Sequence, residues 1–175
     1  MKFFKMIFVW PFILVTTVNL LMASDRVDFS GEWVLDLDAA QSTSIEPLLE
    51  SLGIPWALRK FIQSMSVTQV ISQTKNSISI QIKTSKGTET LSLLLDGVRH
   101  DIVLKTLGKV EFRSFWENNG KVLVTIGKIQ NGSGNKVEWT TRRRLEKNGH
   151  IMIMNHKILT EDGRKLTAKR VLRKK

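Results

Sequence analysis

Closely spaced turn signals divide most of the chain into short segments, leaving no room for a long helix between them. The clearest signals are Asp96-Gly97, Asn119-Gly120, Asn131-Gly132, Asn148-Gly149 and Asp162-Gly163. Such pairs readily adopt the positive φ angles of tight hairpin turns. The segments between the signals are mostly five to ten residues long, which is an ordinary strand length. The chain is therefore predicted to fold as a series of β-hairpins.

Alternation of apolar and polar residues within these segments supports the same prediction. Ile78, Ile80 and Ile82 alternate with Ser79 and Gln81, a period of two that is typical of a half-buried strand. Ten strands are predicted, near residues 29–37, 66–74, 77–84, 88–95, 98–106, 109–117, 121–130, 136–146, 150–159 and 164–173. Short connections favour an antiparallel up-and-down meander that closes into a barrel to remove its edges. The predicted fold class is all-β, with a barrel wide enough to enclose a small ligand.

One stretch between the first and second predicted strands has helical periodicity instead. Residues 45–52 place four apolar side chains on one helix face, and Gly53 follows where a helix C-terminus favours glycine. Residues 58–65 repeat this apolar spacing after Pro55. Helices of two to three turns are unstable alone in water, so both must bury their apolar faces. The open mouth of the barrel offers the necessary surface, and the pair is predicted to form a helix-turn-helix lid.

The first 24 residues are predicted to be a secretory signal that is not part of the fold. Lys2 and Lys5 precede an apolar run over residues 6–22, and the small residues Ala23 and Ser24 follow. This order is typical of a signal peptide. An uncleaved membrane anchor is the alternative, because a run of 17 residues is at the lower limit for spanning a bilayer. In either case residues 25–175 form one domain, and the protein is expected to be secreted or periplasmic.

Positive charge is concentrated near the C-terminus. The formal net charge is +11, and from Lys136 onward 13 Lys and Arg residues face 4 Asp and Glu residues. A field of this sign favours anionic partners such as membrane surfaces, nucleic acids or acidic ligands, without choosing among them. The chain contains no cysteine, which excludes disulfides, zinc–thiolate sites and thiol catalysis.

Three features together resemble the fatty acid-binding, or intracellular lipid-binding, proteins of the calycin superfamily. FSGEWVL (residues 29–35) is similar to the opening F-x-G-x-W strand of that family. LLESLGIPWALRKF (residues 48–61) is similar to its helix-turn-helix, and the predicted strands follow in the family order. The resemblance covers essentially the whole chain after the signal. It implies a lipocalin-like barrel capped by two helices, with a fatty acid or similar amphiphile inside.

The resemblance also implies where the ligand is held, because in that family two arginines and a tyrosine on the closing strands bind its carboxylate. Arg170 matches the arginine of the last strand, and Leu172 occupies the tyrosine position in a chain that has no tyrosine. Arg142 is the best match for the other arginine. Alternation puts Arg144 on the face of Arg142 and Arg143 on the opposite face. The residues alone leave open which of these faces is inward.

The predicted function is binding, and transport or sequestration, of a fatty acid or similar anionic amphiphile by a monomer. Leu48, Leu49, Leu52, Trp56 and Leu58 of the lid are expected to line or gate the opening. An anionic membrane surface is a further expected partner, and no specific nucleic acid is expected. The alternative function is that of a barrel with a packed core that binds anionic surfaces through its basic C-terminal face.

No enzymatic activity, cofactor or metal site is expected. The residues nominate no set of catalytic groups with defined roles. His150 and His156 share a face of one predicted strand but lie about 20 Å apart along it, too far to bind one metal ion.

Overall fold

The computed structural model describes residues 26–104, 108–130, 134 and 136–175, and its main element is one sheet of ten antiparallel strands. Two helices lie between the first and second strands. The strands are β1 (Gly31–Leu35), β2 (Thr68–Gln73), β3 (Ser77–Thr84), β4 (Gly87–Leu94), β5 (Arg99–Leu104), β6 (Gly108–Glu117), β7 (Val122–Gln130), β8 (Lys136–Glu146), β9 (Ile151–Thr160) and β10 (Lys165–Lys174). The helices are α1 (Glu46–Ser51) and α2 (Trp56–Ser64). The predicted all-β fold with a helix-turn-helix lid is confirmed.

The strand order makes the sheet a nearly closed barrel. Each strand pairs with its neighbour in sequence, and β1 pairs with β10, for example Trp33 with Lys174. The two strands at the edges of the sheet are β4 and β5, and the hydrogen-bonded pairing of neighbouring strands is interrupted between them. Because β1 runs toward the helices, the β3–β4 and β9–β10 turns lie at the same end of the barrel as the lid.

The inner face of the barrel carries the hydrophobic core. Its fully buried side chains come from strands around the whole barrel and include Trp33, Ile78, Ile80, Leu123, Met152, Ile158 and Leu172. At the end away from the lid, the rings of Phe29 and Trp116 stack with centroids 6.0 Å apart. The Trp33 indole N–H donates to the Phe29 carbonyl at 2.8 Å. Aromatic packing therefore fills part of this end of the barrel.

The two helices of the lid are bound to the barrel differently. Leu48 of α1 is buried in the core cluster, and Leu52 packs against that cluster. No residue of α2 is buried, although its apolar stripe was predicted to be. Instead α2 is attached to α1 through the Glu46 carboxylate, which accepts hydrogen bonds from Lys60 at 2.8 Å and from Gln63 at 2.9 Å. Helix α1 thus closes the mouth, and α2 combines these polar contacts with the half-buried side chains of Phe61 and Ile62.

The predicted signal, residues 1–24, lies outside the described residues, as do the ends of two predicted hairpins at 105–107 and 131–133. Within the described ranges, neither helix has the length and apolar character needed to span a membrane.

Candidate functional site

A cavity of about 210 Å³ lies inside the barrel. It is bounded by β3 to β8, and its wall is mostly apolar with one buried cation. The lining residues are Ile82, Glu89, Leu91, Leu104, Phe112, Thr125, Trp139, Thr141 and Arg143. The interior is therefore not packed solid. Its volume is below the roughly 300–1,000 Å³ of ordinary small-molecule pockets, so a long acyl chain requires side chains or the lid to move.

Arg143 is the central polar group of this cavity. Its side chain lies on the inner face of β8, and the residue is only 6% exposed. Its Nε and Nη1 atoms are buried without a hydrogen-bond partner among the described residues. Burial lowers the pKa of Arg143 to about 10, which leaves the guanidinium charged at neutral pH. A buried, unpaired cation is unfavourable, and an anion entering the cavity would supply the missing acceptors.

Arg170 and His156 extend the polar region across β9 and β10. Arg170 shares the inner face of β10 with Ala168 and Leu172, and burial lowers its pKa. Burial, followed by the nearby charges of Arg143 and Arg170, lowers the pKa of His156 to about 3. His156 is therefore neutral over the whole physiological range.

The hydrogen bonds of His156 fix the proton on its ring. The Trp139 indole N–H can only donate, and it reaches the Nδ1 atom of His156 at 3.3 Å. The Thr141 hydroxyl lies 3.0 Å from the same nitrogen. Nδ1 is therefore an acceptor, and the neutral ring carries its proton on Nε2. This network orients Trp139 and Thr141, which both line the cavity.

Gln69 adds an amide to the same interior region. It lies on the inner face of β2, is 8% exposed, and its Nε2 atom donates to the Met154 sulfur at 3.8 Å. Its Oε1 atom is buried and has no partner within the described part of the chain. Met154 pairs in register with Arg143 on β8 and with Arg170 on β10. The amide thus reaches the strand that separates the two arginines.

Arg142 and Arg144, which the sequence predicts as candidate ligand contacts, do not face the interior of the barrel. Arg142 lies on the outer face of β8, where its guanidinium is 3.2 Å from Glu117, and Arg144 is 2.8 Å from Glu146. The inward side chain between them is Arg143. The reason is the alternation of β8, whose inner face also carries the core residue Val137.

The remaining predicted ligand contacts fall into two groups. Leu172 is a fully buried core residue and Leu52 packs against the core, while Leu49 is half-buried on α1. Trp56 is 64% exposed and Leu58 is 46% exposed, so both face solvent. That these two residues of α2 gate the opening stays a prediction.

A signal for the missed residues is present in the sequence. Val137, Trp139 and Leu145 are apolar and share the odd-numbered positions of β8 with Arg143. His156 similarly shares its face of β9 with Met152, Met154 and Ile158 in the core. Gln69 stands on a strand of only six residues, where no comparable pattern identifies it. Among the described residues, no cluster of three or more His, Asp or Glu side chains is placed to bind a metal ion.

Gly127 controls the space available to one wall of the cavity. It faces Phe112 across β6 and β7, and a Cβ atom at Gly127 would lie 2.8 Å from the Phe112 ring. We expect Gly127→Ala to push this ring into the cavity and to weaken binding of a hydrophobic probe in the cavity about fivefold, equivalent to about 1 kcal/mol of overpacking. Titration with a fluorescent hydrophobic probe would measure the effect. The double variant Gly127→Ala, Phe112→Leu should recover the affinity, and failure of that recovery would contradict the explanation.

The barrel, its interruption between β4 and β5, and the lid after β1 together have the fold of the fatty acid-binding, or intracellular lipid-binding, proteins. The predicted resemblance is therefore confirmed for the fold. No family model matches the chain, and neither does any curated protein. The similarity is thus one of structure at low sequence identity.

Three solved structures illustrate this similarity. A REP1-NXSQ fatty acid transporter superposes with a TM-score of 0.66 at 19% identity, covering 85% of this chain and 96% of the other. Human cRBP IV gives a TM-score of 0.64 at 22% identity, covering 86% of this chain and 100% of the other. A Schistosoma mansoni fatty acid binding protein in complex with arachidonic acid gives 0.62 at 16% identity, covering 84% and 96%.

Proposed function

We propose that the protein binds a fatty acid or similar anionic amphiphile in its barrel and transports or sequesters it. The observation that carries this proposal is the buried guanidinium of Arg143 in a largely apolar cavity, where its Nε and Nη1 donors have no partner in the described part of the chain. Arg170 is the second anchor. An aliphatic tail gains about 0.8 kcal/mol per buried CH₂, whereas its charged head requires a partner inside the barrel.

The lid is the proposed route for the ligand. Helix α2 has no fully buried residue and is attached to α1 through ion pairs with Glu46 and Glu50, so it can separate from the mouth at lower cost than α1. On its outer side, Trp56 and Leu58 are exposed beside the exposed Lys60. This combination suits contact with an anionic membrane surface, where aromatic residues and cations are favoured.

Export of the protein is part of the proposal. It depends on the basic and apolar residues of the first 24 positions, which are typical of a signal peptide. A secreted or periplasmic barrel of this kind would collect its ligand outside the cytoplasm, and we propose that it does so as a monomer.

The alternative function, surface binding through the basic C-terminal region, receives less support. Much of that positive charge is locally compensated: Arg142, Arg144, Arg164, Arg173 and Lys175 form ion pairs with Glu117, Glu146, Asp162, Asp36 and Glu32. Arg143 and Arg170 lie inside the barrel, and the Lys174 ammonium lies over the Trp33 ring at 5.4 Å. The excess seen in the sequence is therefore not a continuous free surface.

The proposal is tested by analysing residues 25–175 after purification. We expect native mass spectrometry to show bound lipid, and organic extraction followed by titration with a fluorescent fatty acid to show saturable binding. Salt separates the alternatives, because a surface electrostatic complex weakens steeply between low and physiological ionic strength whereas a buried tail does not. Absence of both extractable lipid and saturable binding would refute the function.

A further inference from the structure

Among the described residues, the interior carries both buried donors and a buried acceptor that have no hydrogen-bond partner. Nε and Nη1 of Arg143 are such donors, and Oε1 of Gln69 is such an acceptor. Both side chains are more than nine-tenths buried. A simple carboxylate can pair with the Arg143 donors but not with the Gln69 acceptor, since an ionised carboxylate accepts hydrogen bonds and donates none.

The orientation of the Gln69 amide follows from its neighbour. Thioether sulfur is an acceptor only, so the atom that faces the Met154 sulfur at 3.8 Å must be the amide nitrogen. The carbonyl oxygen is then the free atom, and it requires a donor. Polar atoms left without partners in the interior of a protein are unfavourable, which makes Oε1 a candidate ligand contact.

The amide is linked to both arginines through Met154. Met154, which Gln69 contacts, has Arg143 and Arg170 as its register partners on the two adjoining strands. Side chains directly opposite each other on adjacent strands have Cβ atoms about 4.5–5.5 Å apart. A donor within a few bonds of a carboxylate held by the arginines would therefore lie near the amide.

From these contacts we infer that the preferred ligand is an acyl-chain anion that carries a hydrogen-bond donor close to its carboxylate, and that Gln69 recognises this donor. A hydroxyl group at the second or third carbon and the amide N–H of an N-acyl amino acid both have this chemistry. The inference rests on the proposed function and adds a specificity residue to it. Arg143 binds the charge, and Gln69 selects among ligands that share that charge.

The test compares ligands that differ only in the donor. Displacement of a fluorescent fatty acid would be measured with tetradecanoic acid, 3-hydroxytetradecanoic acid, its methyl ether and N-tetradecanoylglycine. We expect the hydroxy acid or the acylglycine to bind about tenfold more tightly than the plain acid, in keeping with one hydrogen bond to a buried acceptor. The methyl ether, which keeps the oxygen but lacks the donor, should show no such gain. Tighter binding of the hydroxy acid would identify a hydroxyl as the donor, and tighter binding of the acylglycine would identify an amide N–H.

Variants assign the effect to Gln69. Gln69→Met should abolish the preference, because it removes the acceptor but retains the side-chain length. Gln81→Met, at an exposed glutamine on the neighbouring strand, is the matched control and should keep the preference. Arg143→Met should weaken all the acids by a similar factor. Thermal unfolding of each variant verifies that it is folded.

The outcomes separate this inference from the proposed function. Equal affinity for the plain acid and both donor-bearing acids in the unmodified protein would overturn the role of Gln69 and leave fatty acid binding intact. A preference that persists in Gln69→Met would also overturn it. Failure of every acid to bind would instead refute the proposed function.

Discussion

Replacing Arg143 with methionine is expected to stabilise the ligand-free protein and to weaken its binding of fatty acids by roughly 30- to 1,000-fold. The two effects have one cause. Arg143 is 6% exposed, and its Nε and Nη1 atoms have no partner among the described residues. Without ligand, burial of the guanidinium is unfavourable, and the proposed ligand would supply acceptors for charge-assisted hydrogen bonds.

The stability change follows from removing a buried charge whose Nε and Nη1 atoms lack partners within the described ranges. An apolar side chain of similar length is expected to raise the free energy of unfolding by about 1–3 kcal/mol. For a domain of this size that corresponds to a rise in Tm of roughly 3–10 °C. Calorimetry after delipidation measures the first effect, and displacement of a fluorescent fatty acid measures the second.

Arg142→Met provides the matched control, because the two arginines are adjacent in sequence and face opposite sides of β8. Arg142 is exposed and paired with Glu117, and surface ion pairs contribute only about 0–1 kcal/mol. This variant should therefore bind fatty acids within about twofold of the unmodified protein. If Arg142→Met lost binding and Arg143→Met retained it, the inward orientation of Arg143 would be wrong.

The fold was predictable because its determinants are local. Turn pairs such as Asn119-Gly120 and the alternation within β3 fix where strands begin, end and bury a face. The lid was predictable for the same reason, although the apolar periodicity of residues 58–65 did not reveal that α2 remains largely unburied. Whether a helix face is covered depends on the surface it meets, which is a tertiary property.

The candidate site was only partly predictable, because it depends on which of two alternating faces is inward. Three consecutive arginines place a cation on both faces of β8, and matching to a family motif favoured Arg142 over Arg143. The apolar neighbours Trp139 and Leu145 contain the necessary information, since they share the face of Arg143. The contact between Gln69 and Met154 joins residues 85 positions apart and has no local signature.

Lowering the pH from 6.5 toward 3 is expected to destabilise the protein through His156. Burial first, and then the charges of Arg143 and Arg170, lower the pKa of His156 from 6.5 to about 3. Between these values the unfolded chain binds a proton that the folded protein does not, so the free energy of unfolding falls as the pH falls. The expected loss is about 1.4 kcal/mol per pH unit across this window.

Urea unfolding at pH 4, 5, 6 and 7 would measure this slope. His156→Gln should remove most of it, because an amide cannot take up the proton but its oxygen can still accept from Trp139 and Thr141. Asp28 and Asp162 have pKa values lowered from 3.8 by their own hydrogen bonds. Their contribution to the free energy of unfolding is lost only as the pH falls to about 4 and below, and it is the same in the variant. His100→Gln is the control, because His100 lies at the surface beside Asp96, and it should retain the slope.

Bound ligand should reduce the same pH dependence. A carboxylate between Arg143 and Arg170 offsets the charges that oppose protonation of His156, although the burial that makes the larger contribution to the lowered pKa remains. The difference in stability between the ligand-bound and ligand-free protein should therefore grow as the pH falls toward 5, provided that the fatty acid stays ionised. Imidazole NMR shifts of His156 that titrate near 6.5 in the ligand-free protein would contradict both the buried neutral ring and the charge arrangement around it.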